Sequence, residues 1–377
     1  VNTLFNLLPP ESRSQLQIEE TQFSSGWFSS QLAMEIRYNP LASDDLFLRL
    51  DFDISHGPIV RTDDGLGLGL AYASITPSLE ESLQQDLEEL PFTLPPITIT
   101  LHSRLDRSMT VRLDMASLEY LDGDRELLFG GLNGELLAQA DRSARLNFAM
   151  NSLQARDIGT GVAYSMGGFS IQSNTRDMSN ILASSSGELS IREISSTGIA
   201  ELSIGEIHVN SRLQPAAGDA DEIDILQQLA ITDVSGDIPL SSLTWDSELL
   251  GIKGEVARRY VTLTSGLQTQ ANANSQAVQL FQELALLVLQ NPFTFNNQFD
   301  AIAYGGDHAV VLDLDWAGLP EVDSFGALDS NELLNALEIN LDVSLNLDAI
   351  MRSPAADLVD PYVQEGYIVI DNGRVRT

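Results

Sequence analysis

Residues 46–54 read LFLRLDFDI, and their apolar and polar side chains alternate along the whole stretch. One parity carries Leu46, Leu48, Leu50, Phe52 and Ile54, and the other carries Phe47, Arg49, Asp51 and Asp53. Successive side chains of a strand point to opposite faces of a sheet. The stretch therefore predicts a strand that buries one side and exposes the other to water.

The same alternation returns in 97–105, 109–115 and 339–347, which indicates long, half-buried antiparallel strands. Further strands are expected at about 32–38, 66–74, 109–121, 126–138, 143–153, 187–194, 199–209, 294–304, 308–316 and 338–348. Helical periodicity and end signals predict helices at about 222–231, 275–290, 329–337 and 354–364. A short amphipathic helix is also expected before Pro91, with Thr76 or Ser78 as its N-cap. The predicted fold class is β-dominated α+β, with a large curved antiparallel sheet and a few short covering helices.

The stretch 215–222 is rich in small and acidic residues and predicts a linker. A boundary near 214–222 would divide the chain into an N-terminal β-rich lobe at 1–213 and a C-terminal α+β lobe at 223–377. The alternative is one continuous domain, because 377 residues are compatible with either arrangement.

Charge and cysteine content exclude several classes of function. The chain has 54 acidic and 20 basic residues, and its net charge of −34 repels nucleic acids. Solubility explains the acidity, with a cation-binding surface as the alternative. The absence of cysteine excludes disulfides, thiolate metal sites and cysteine nucleophiles.

No motif predicts a catalytic residue, a metal ligand or a cofactor. The Gly-x-Ser-x-Gly pattern fails because Gln172 follows Gly168 and Ser170. The histidines lack the paired spacing of zinc ligands; they are His56, His102, His208 and His308. Acidic pairs for glycoside hydrolysis are permitted by composition, but their separation is not visible in the sequence.

Two short motifs stand out for their residue types. The first is Gly26, Trp27, Phe28, Ser29 and Ser30, and the second ends in His56, Gly57 and Pro58. Trp27 and Phe28 are expected to anchor the first strand in the core. Gly57-Pro58 is expected to form a turn, with His56 as a hydrogen-bonding residue.

These motifs resemble the N-terminal signature of the YdgA-like family, a set of uncharacterised Gram-negative envelope proteins. The stretch 291–292 and the stretches 366–369 and 371–373 resemble the C-terminal part of the same family. The resemblance implies a periplasmic protein that an N-terminal segment preceding Val1 anchors in the inner membrane. It implies no catalytic residues, and the signature residues Gly26, Trp27, Phe28, Ser30, His56, Gly57 and Pro58 are expected to be structural.

The leading hypothesis is a non-catalytic envelope protein whose extended sheet offers a groove to a lipid, another hydrophobic ligand or a partner protein. Self-association through an edge strand is a further expectation. The alternatives are a scaffolding module that binds only proteins, and a carboxylate-based glycan hydrolase. Nucleic acid is not an expected partner.

Overall fold

The computed structural model describes residues 16–38, 46–63, 65–79, 91–198, 200–217, 219–237, 239–268 and 273–377. Strands make up 61% of it and helices 13%, which confirms the β-dominated α+β class. The strands are β1 Leu16–Ser25, β2 Ser29–Tyr38, β3 Leu46–His56, β4 Ile59–Thr62, β5 Gly65–Leu68, β6 Ala71–Leu79, β7 Ile97–Ser103, β8 Met109–Met115, β9 Leu118–Asp122, β10 Arg125–Phe129, β11 Leu132–Ala138, β12 Ala144–Met150, β13 Leu153–Asp157, β14 Val162–Met166, β15 Gly168–Thr175, β16 Ser185–Thr197, β17 Leu202–Ala216, β18 Asp219–Thr232, β19 Ser235–Gly236, β20 Leu240–Lys253, β21 Phe293–Ala303, β22 Gly306–Trp316, β23 Leu337–Asn346, β24 Val369–Asp371 and β25 Arg374–Arg376. The helices are α1 Gly254–Gln268, α2 Ala273–Gln290, α3 Ser330–Ala336, α4 Leu347–Ile350 and α5 Ala356–Gln364, with a 3-10 turn at Phe325–Ala327.

Within the described ranges, twenty-three strands form one sheet, and β4 pairs with β5 in a separate hairpin. Every pairing is antiparallel. The main series of paired strands is β1, β2, β3, β6, β7, β8, β11, β12, β15, β16, β17, β18, β20, β21, β22 and β23. Strands β9, β10, β13 and β14 form a flanking group of four strands, and β14 of this group pairs with β16 of the main series.

A line of strand breaks separates this flanking group from the main series. The breaks lie at 116–117, 130–131, 151–152 and 167. Backbone hydrogen bonds join neighbouring breaks, from Gly130 N to Ser152 O at 2.8 Å and from Asn151 N to Gly131 O at 3.0 Å. Interruptions aligned in this way mark places where a sheet changes direction.

Two helices cover one end of the apolar face of the sheet. Ile223, Ile252 and Val256 form a buried cluster there. Leu284, Leu287 and Val288 of α2 pack against the cluster, together with further side chains of α1 and the strands. The apolar stripe along the predicted helix at 275–290 is therefore what places α2 on the sheet.

The chain exposes much more surface than a compact protein of its size. Its accessible surface is 22937 Å², whereas a compact monomer of this length exposes about 15,000 Å². In the described part of the chain, most strands pack mainly against their hydrogen-bonded neighbours. A sheet that is covered only in part leaves apolar side chains half-exposed.

The structure corrects three expectations about secondary structure. Residues 222–231 belong to strand β18 instead of a helix, because β17 and β20 pair with it on both sides and its isoleucines suit a strand. Residues 215–216 end β17 and residues 219–222 begin β18, and Pro215 pairs with Ile223, so this stretch consists mainly of strand and not of a linker. The division into two lobes stays a prediction.

The third correction concerns the expected N-cap positions Thr76 and Ser78. Both residues lie in β6, where they pair with Asp51 and Arg49 of β3. The rest of that expected helix, at 80–90, lies outside the described residues.

Candidate functional site

A single row of apolar residues crosses the main series of strands from β1 to β23. Fifteen consecutive cross-strand pairs join one residue from each of sixteen strands. This apolar row consists of Phe23, Leu32, Phe52, Ile75, Ile99, Leu113, Gly134, Phe148, Ile171, Leu189, Val209, Leu229, Trp245, Phe299, Val310 and Val343. At about 4.8 Å per strand the row extends for about 70 Å, more than twice the thickness of a bilayer core of about 30 Å.

Most of the row is accessible to solvent. Only Leu32 and Ile75 among its members are buried, and Trp245 and Phe299 are each 37% exposed. From Ile99 to Val343 the row has no buried member. The apolar row is therefore a continuous hydrophobic surface that is partly accessible to solvent.

Gly134 is the single member of the row without a side chain. A Cβ at Gly134 would lie 3.1 Å from the ring carbon Cδ2 of Phe148 and 3.7 Å from Cβ of Leu113. The Phe148 ring thus occupies part of the space over Gly134. The ring keeps the apolar surface continuous at the one position where the sequence interrupts it.

A second apolar row runs beside the first on the same face. Its members are Met115, Leu132, Met150, Phe169, Ile191, Ile207, Ile231, Leu243 and Ala301. Phe169 of this row meets Phe148 of the first row edge to face, with ring centroids 6.1 Å apart. Together the two rows form an apolar ribbon two residues wide.

Polar residues border the ribbon on its other side. The next row on the same face consists of Ser173, Gly187, Ser211, Gln227, Ser247 and Asn297. Asn297 accepts a hydrogen bond from the indole Nε1 of Trp245 at 3.0 Å, which links the polar row to the apolar row. An occupant of the ribbon would therefore find polar partners along one flank.

The opposite face of the same strands is polar. It carries a shallow depression of about 480 Å³ that is lined mainly by amide, hydroxyl and charged side chains. Glu188, Asn210, Arg212, Asp246 and Glu248 are among the residues that line it. The two faces of the central strands thus differ sharply in chemistry, as the alternation in the sequence predicts.

The signature residues lie together at one end of β1–β3. The Oγ of Ser30 and Nε2 of His56 are 2.8 Å apart, so His56 forms the expected hydrogen bond. Gly57 has a φ of 117° in the turn that leads to β4, which confirms the predicted turn. The expected role of Trp27 and Phe28 is wrong, because they are 95% and 77% exposed.

Several carboxylates of the loops have lowered pKa values. In the turns at 106–108, 141–143 and 177–179, the hydroxyl and then the backbone N–H of Ser108, Ser143 and Ser179 donate to the preceding aspartate and lower its pKa. Near the signature residues, burial and then the hydrogen bond to Asp63 raise the pKa of Tyr72. The three aspartate shifts follow from local turn geometry and the Tyr72 shift from burial, which favours a structural role for these groups.

Two negative findings concern only the part of the chain that the structure describes. Within it, no group of three His, Asp or Glu side chains has the arrangement of a metal site. None of the described helices combines the length and the hydropathy of a membrane span.

Comparison with known proteins gives the family. A family model described as "Bacterial protein of unknown function (DUF945)" matches residues 7–371. The chain belongs to this bacterial family. No curated protein and no solved structure matches it. The family description assigns no activity, so the function must be argued from the DUF945 chain itself.

The sequence contained part of the apolar row. Phe52, Ile99, Leu113 and Val343 all fall on the apolar parities of the four strands read from the alternation. The sequence did not predict their alignment into one row, because alternation within a strand does not say which residue of the next strand lies opposite.

Proposed function

We propose that this DUF945 protein is a non-catalytic binding protein whose apolar ribbon holds an elongated hydrophobic ligand, a lipid, across the strands. The observation that carries the proposal is the unbroken apolar row from Ile99 to Val343 with no buried member. Covering such a surface gains about 25 cal/mol for each Å² of apolar area removed from water. An acyl chain can follow the row because successive side chains lie only one strand spacing apart.

The polar border supports a ligand with a polar head. Ser211, Gln227 and Ser247 lie beside Val209, Leu229 and Trp245, so hydroxyl and amide groups stand one row away from the apolar surface. A lipid has the same division between an apolar chain and a polar group. The surrounding negative charge of the chain favours a headgroup without an excess of negative charge.

We also propose that the protein works in the Gram-negative envelope. The sequence resemblance at both ends of the chain supports this location, and the absence of cysteine is compatible with it. Fractionation of cells that make the full-length protein tests the location. Recovery in the cytosol would contradict it.

Native mass spectrometry of the protein purified from its own cells, followed by lipid extraction, tests the ligand. We expect a lipid at a fixed stoichiometry. A bare chain would overturn the proposal, and a chain that carries a partner polypeptide in place of lipid would favour the scaffolding alternative.

A matched pair of variants on β18 tests the site. Leu229→Glu places a carboxylate on the apolar row, and Gln228→Glu places one on the opposite face of the same strand. Lipid occupancy should fall by at least about tenfold in Leu229→Glu, because a charge next to an acyl chain is poorly solvated. It should be unchanged in Gln228→Glu, with far-UV circular dichroism as the folding control. Equal occupancy in the two variants would contradict the proposed site.

A further inference from the structure

A second apolar surface lies apart from the ribbon, at the loop end of strands β1–β8. Its large side chains are exposed by half or more of their area in most cases, led by Trp27 at 95% and Leu66 at 82%. We call this surface the apolar tip, and its members are Trp27, Phe28, Ile59, Leu66, Leu68, Leu70 and Leu105.

Backbone hydrogen bonds hold the loops of the tip side by side. His56 N donates to Phe28 O at 2.8 Å, Gly57 N donates to Leu70 O at 3.2 Å, and Leu70 N donates to Ser103 O at 2.8 Å. Three separate stretches of the chain are thereby fixed next to one another. The apolar tip is an ordered surface and not a set of unrelated loops.

Close packing at Gly69 places the hairpin β4–β5 against the end of β7. A Cβ at Gly69 would lie 2.7 Å from Nε2 of His102 and 2.9 Å from the carbonyl oxygen of Ser103. Only glycine allows this approach. The glycine between Leu68 and Leu70 therefore holds the exposed leucines in place at the tip.

The hairpin β4–β5 carries apolar side chains on both of its faces. Val60 on the inner face is 1% exposed, as expected for a residue packed against the protein. On the outer face Ile59 pairs with Leu68, and these side chains are 62% and 67% exposed. An amphipathic hairpin at a water-facing surface would carry polar residues at these positions.

The tip also differs from the rest of the chain in charge. Over 23–31, 56–70 and 103–108, three arginines balance three aspartates, whereas the whole chain carries −34. Arg61, Arg104 and Arg107 are all exposed; Arg61 pairs with Leu66 in the hairpin, and Arg104 and Arg107 lie on either side of Leu105 in the sequence. Arginines next to Trp, Phe and Leu suit the boundary between phosphate headgroups and acyl chains.

We propose that the apolar tip inserts into the interfacial layer of a phospholipid bilayer. Projecting aromatic and aliphatic side chains reach the boundary of headgroups and acyl chains, while the arginines meet the phosphates. The neutral charge of the tip complements a membrane surface that repels the acidic body. The inference does not depend on the ligand of the ribbon, since the two surfaces share no residue.

Sedimentation of the purified full chain with phosphatidylcholine vesicles tests the proposal. The double variant Trp27→Ser, Phe28→Ser should bind at least about tenfold more weakly, because each large side chain contributes its own transfer free energy. The matched control is Leu334→Ser, Leu358→Ser, which removes side chains that are 72% and 55% exposed on α3 and α5. This control should sediment like the unmodified chain.

Tryptophan fluorescence gives a second, direct readout. Vesicles that contain brominated acyl chains should quench the tryptophan fluorescence of the unmodified chain. The quenching that is due to Trp27 should be absent in Trp27→Phe, and this variant should still sediment with the vesicles. Three outcomes would overturn the proposal. They are no sedimentation of the unmodified chain, equal binding by the tip and control variants, and no quenching at Trp27. A concentration-dependent dimer that the tip variant abolishes, with no vesicle binding, would instead assign the tip to a second copy of the chain.

Discussion

The covered end and the open middle of strand β18 share one face of the sheet but differ in what lies above them. At the covered end, α1 and α2 pack over Ile223, which is 2% exposed. A few residues further along the same face, Leu229 and Ile231 are only partly buried. The strand pattern is apolar in both places, so the helices and not the strand decide which residues form a core.

The difference teaches what an apolar strand face means in this protein. One layer of sheet supplies only half of a hydrophobic core, and the other half must come from another element. The covered end has that element within the chain. The open middle is where we place the ligand, because a lipid can supply the missing half.

The largest expected effect compares two isoleucines of β18. Ile223→Ala should lower the free energy of unfolding by about 3 kcal/mol, since it removes a fully buried side chain and leaves a cavity. Ile231→Ala, in the second apolar row, should cost about 1 kcal/mol because the side chain is only partly buried. Urea unfolding of the two lipid-free variants measures both. Equal losses would erase the distinction between covered and open regions.

The next effect compares a tryptophan in the open region of the sheet with a tryptophan in the covered region. Trp245 lies in the apolar row at 37% exposure, and Trp316 is 7% exposed with its Nε1 donating to Leu289 O of α2 at 3.1 Å. A brominated fatty acid added to lipid-free protein should quench Trp245 and leave Trp316 unaffected. Trp245→Phe should therefore lose the quenching, and Trp316→Phe should keep it. Quenching that follows Trp316 would place the ligand at the helices.

A smaller effect should appear in the pH dependence of the covered end. Lys253 contacts Glu222 at 2.6 Å and Asp219 at 3.5 Å where β18 begins and β20 ends. The backbone N–H of Asp221 and then Lys253 lower the pKa of Asp219 from 3.8. Glu222 is the main group that raises the pKa of Lys253 from 10.5.

Both contributions stabilise the fold, but they are lost in opposite directions of pH. The lowered pKa of Asp219 stabilises the fold above its ordinary value, and this contribution is lost as the pH falls through the lower folded value. The raised pKa of Lys253 stabilises the fold below its ordinary value and is lost as the pH rises through the higher folded value. Asp219→Asn should make the urea midpoint less dependent on pH on the acidic side. Lys253→Met should make it less dependent on pH on the alkaline side. An unchanged profile in both variants would mean that the cluster does not stabilise this end.

The smallest effect concerns the gap in the apolar row. Gly134→Ala should change the free energy of unfolding by less than about 1 kcal/mol, because the gain in backbone order offsets the small shift required of Phe148. Lipid binding should be retained, since the row gains a methyl group. Thermal unfolding and lipid extraction measure the two quantities. Loss of the lipid would show that the Phe148 ring must stay where it is.

Much of the fold followed from local pattern. The strands at 46–54, 97–105 and 339–347, the helix at 275–290 and its stop before Pro292 were all predicted. The strand at 222–231 was not, because its apolar residues also fit a helical stripe. Pairing with two neighbouring strands decided between these alternatives.

The exposure of the apolar tip could not be predicted from the sequence, for a different reason. Trp27 and Phe28 have the composition of core residues, and only the position of their turn beyond the end of the sheet leaves them in water. Ser30 and His56 come close because β2 and β3 pair in one particular register.

The sequence by itself determined that the chain forms long strands with one apolar and one polar side, because a period of two is a local property of the backbone. Tertiary structure alone decided that sixteen of these strands bring their apolar side chains into one row. Register is set by pairing and turns across residues far apart in the chain, and a shift of two residues would keep every side chain on its face but break the row. Which part of that face is covered was likewise decided by where α1 and α2 pack.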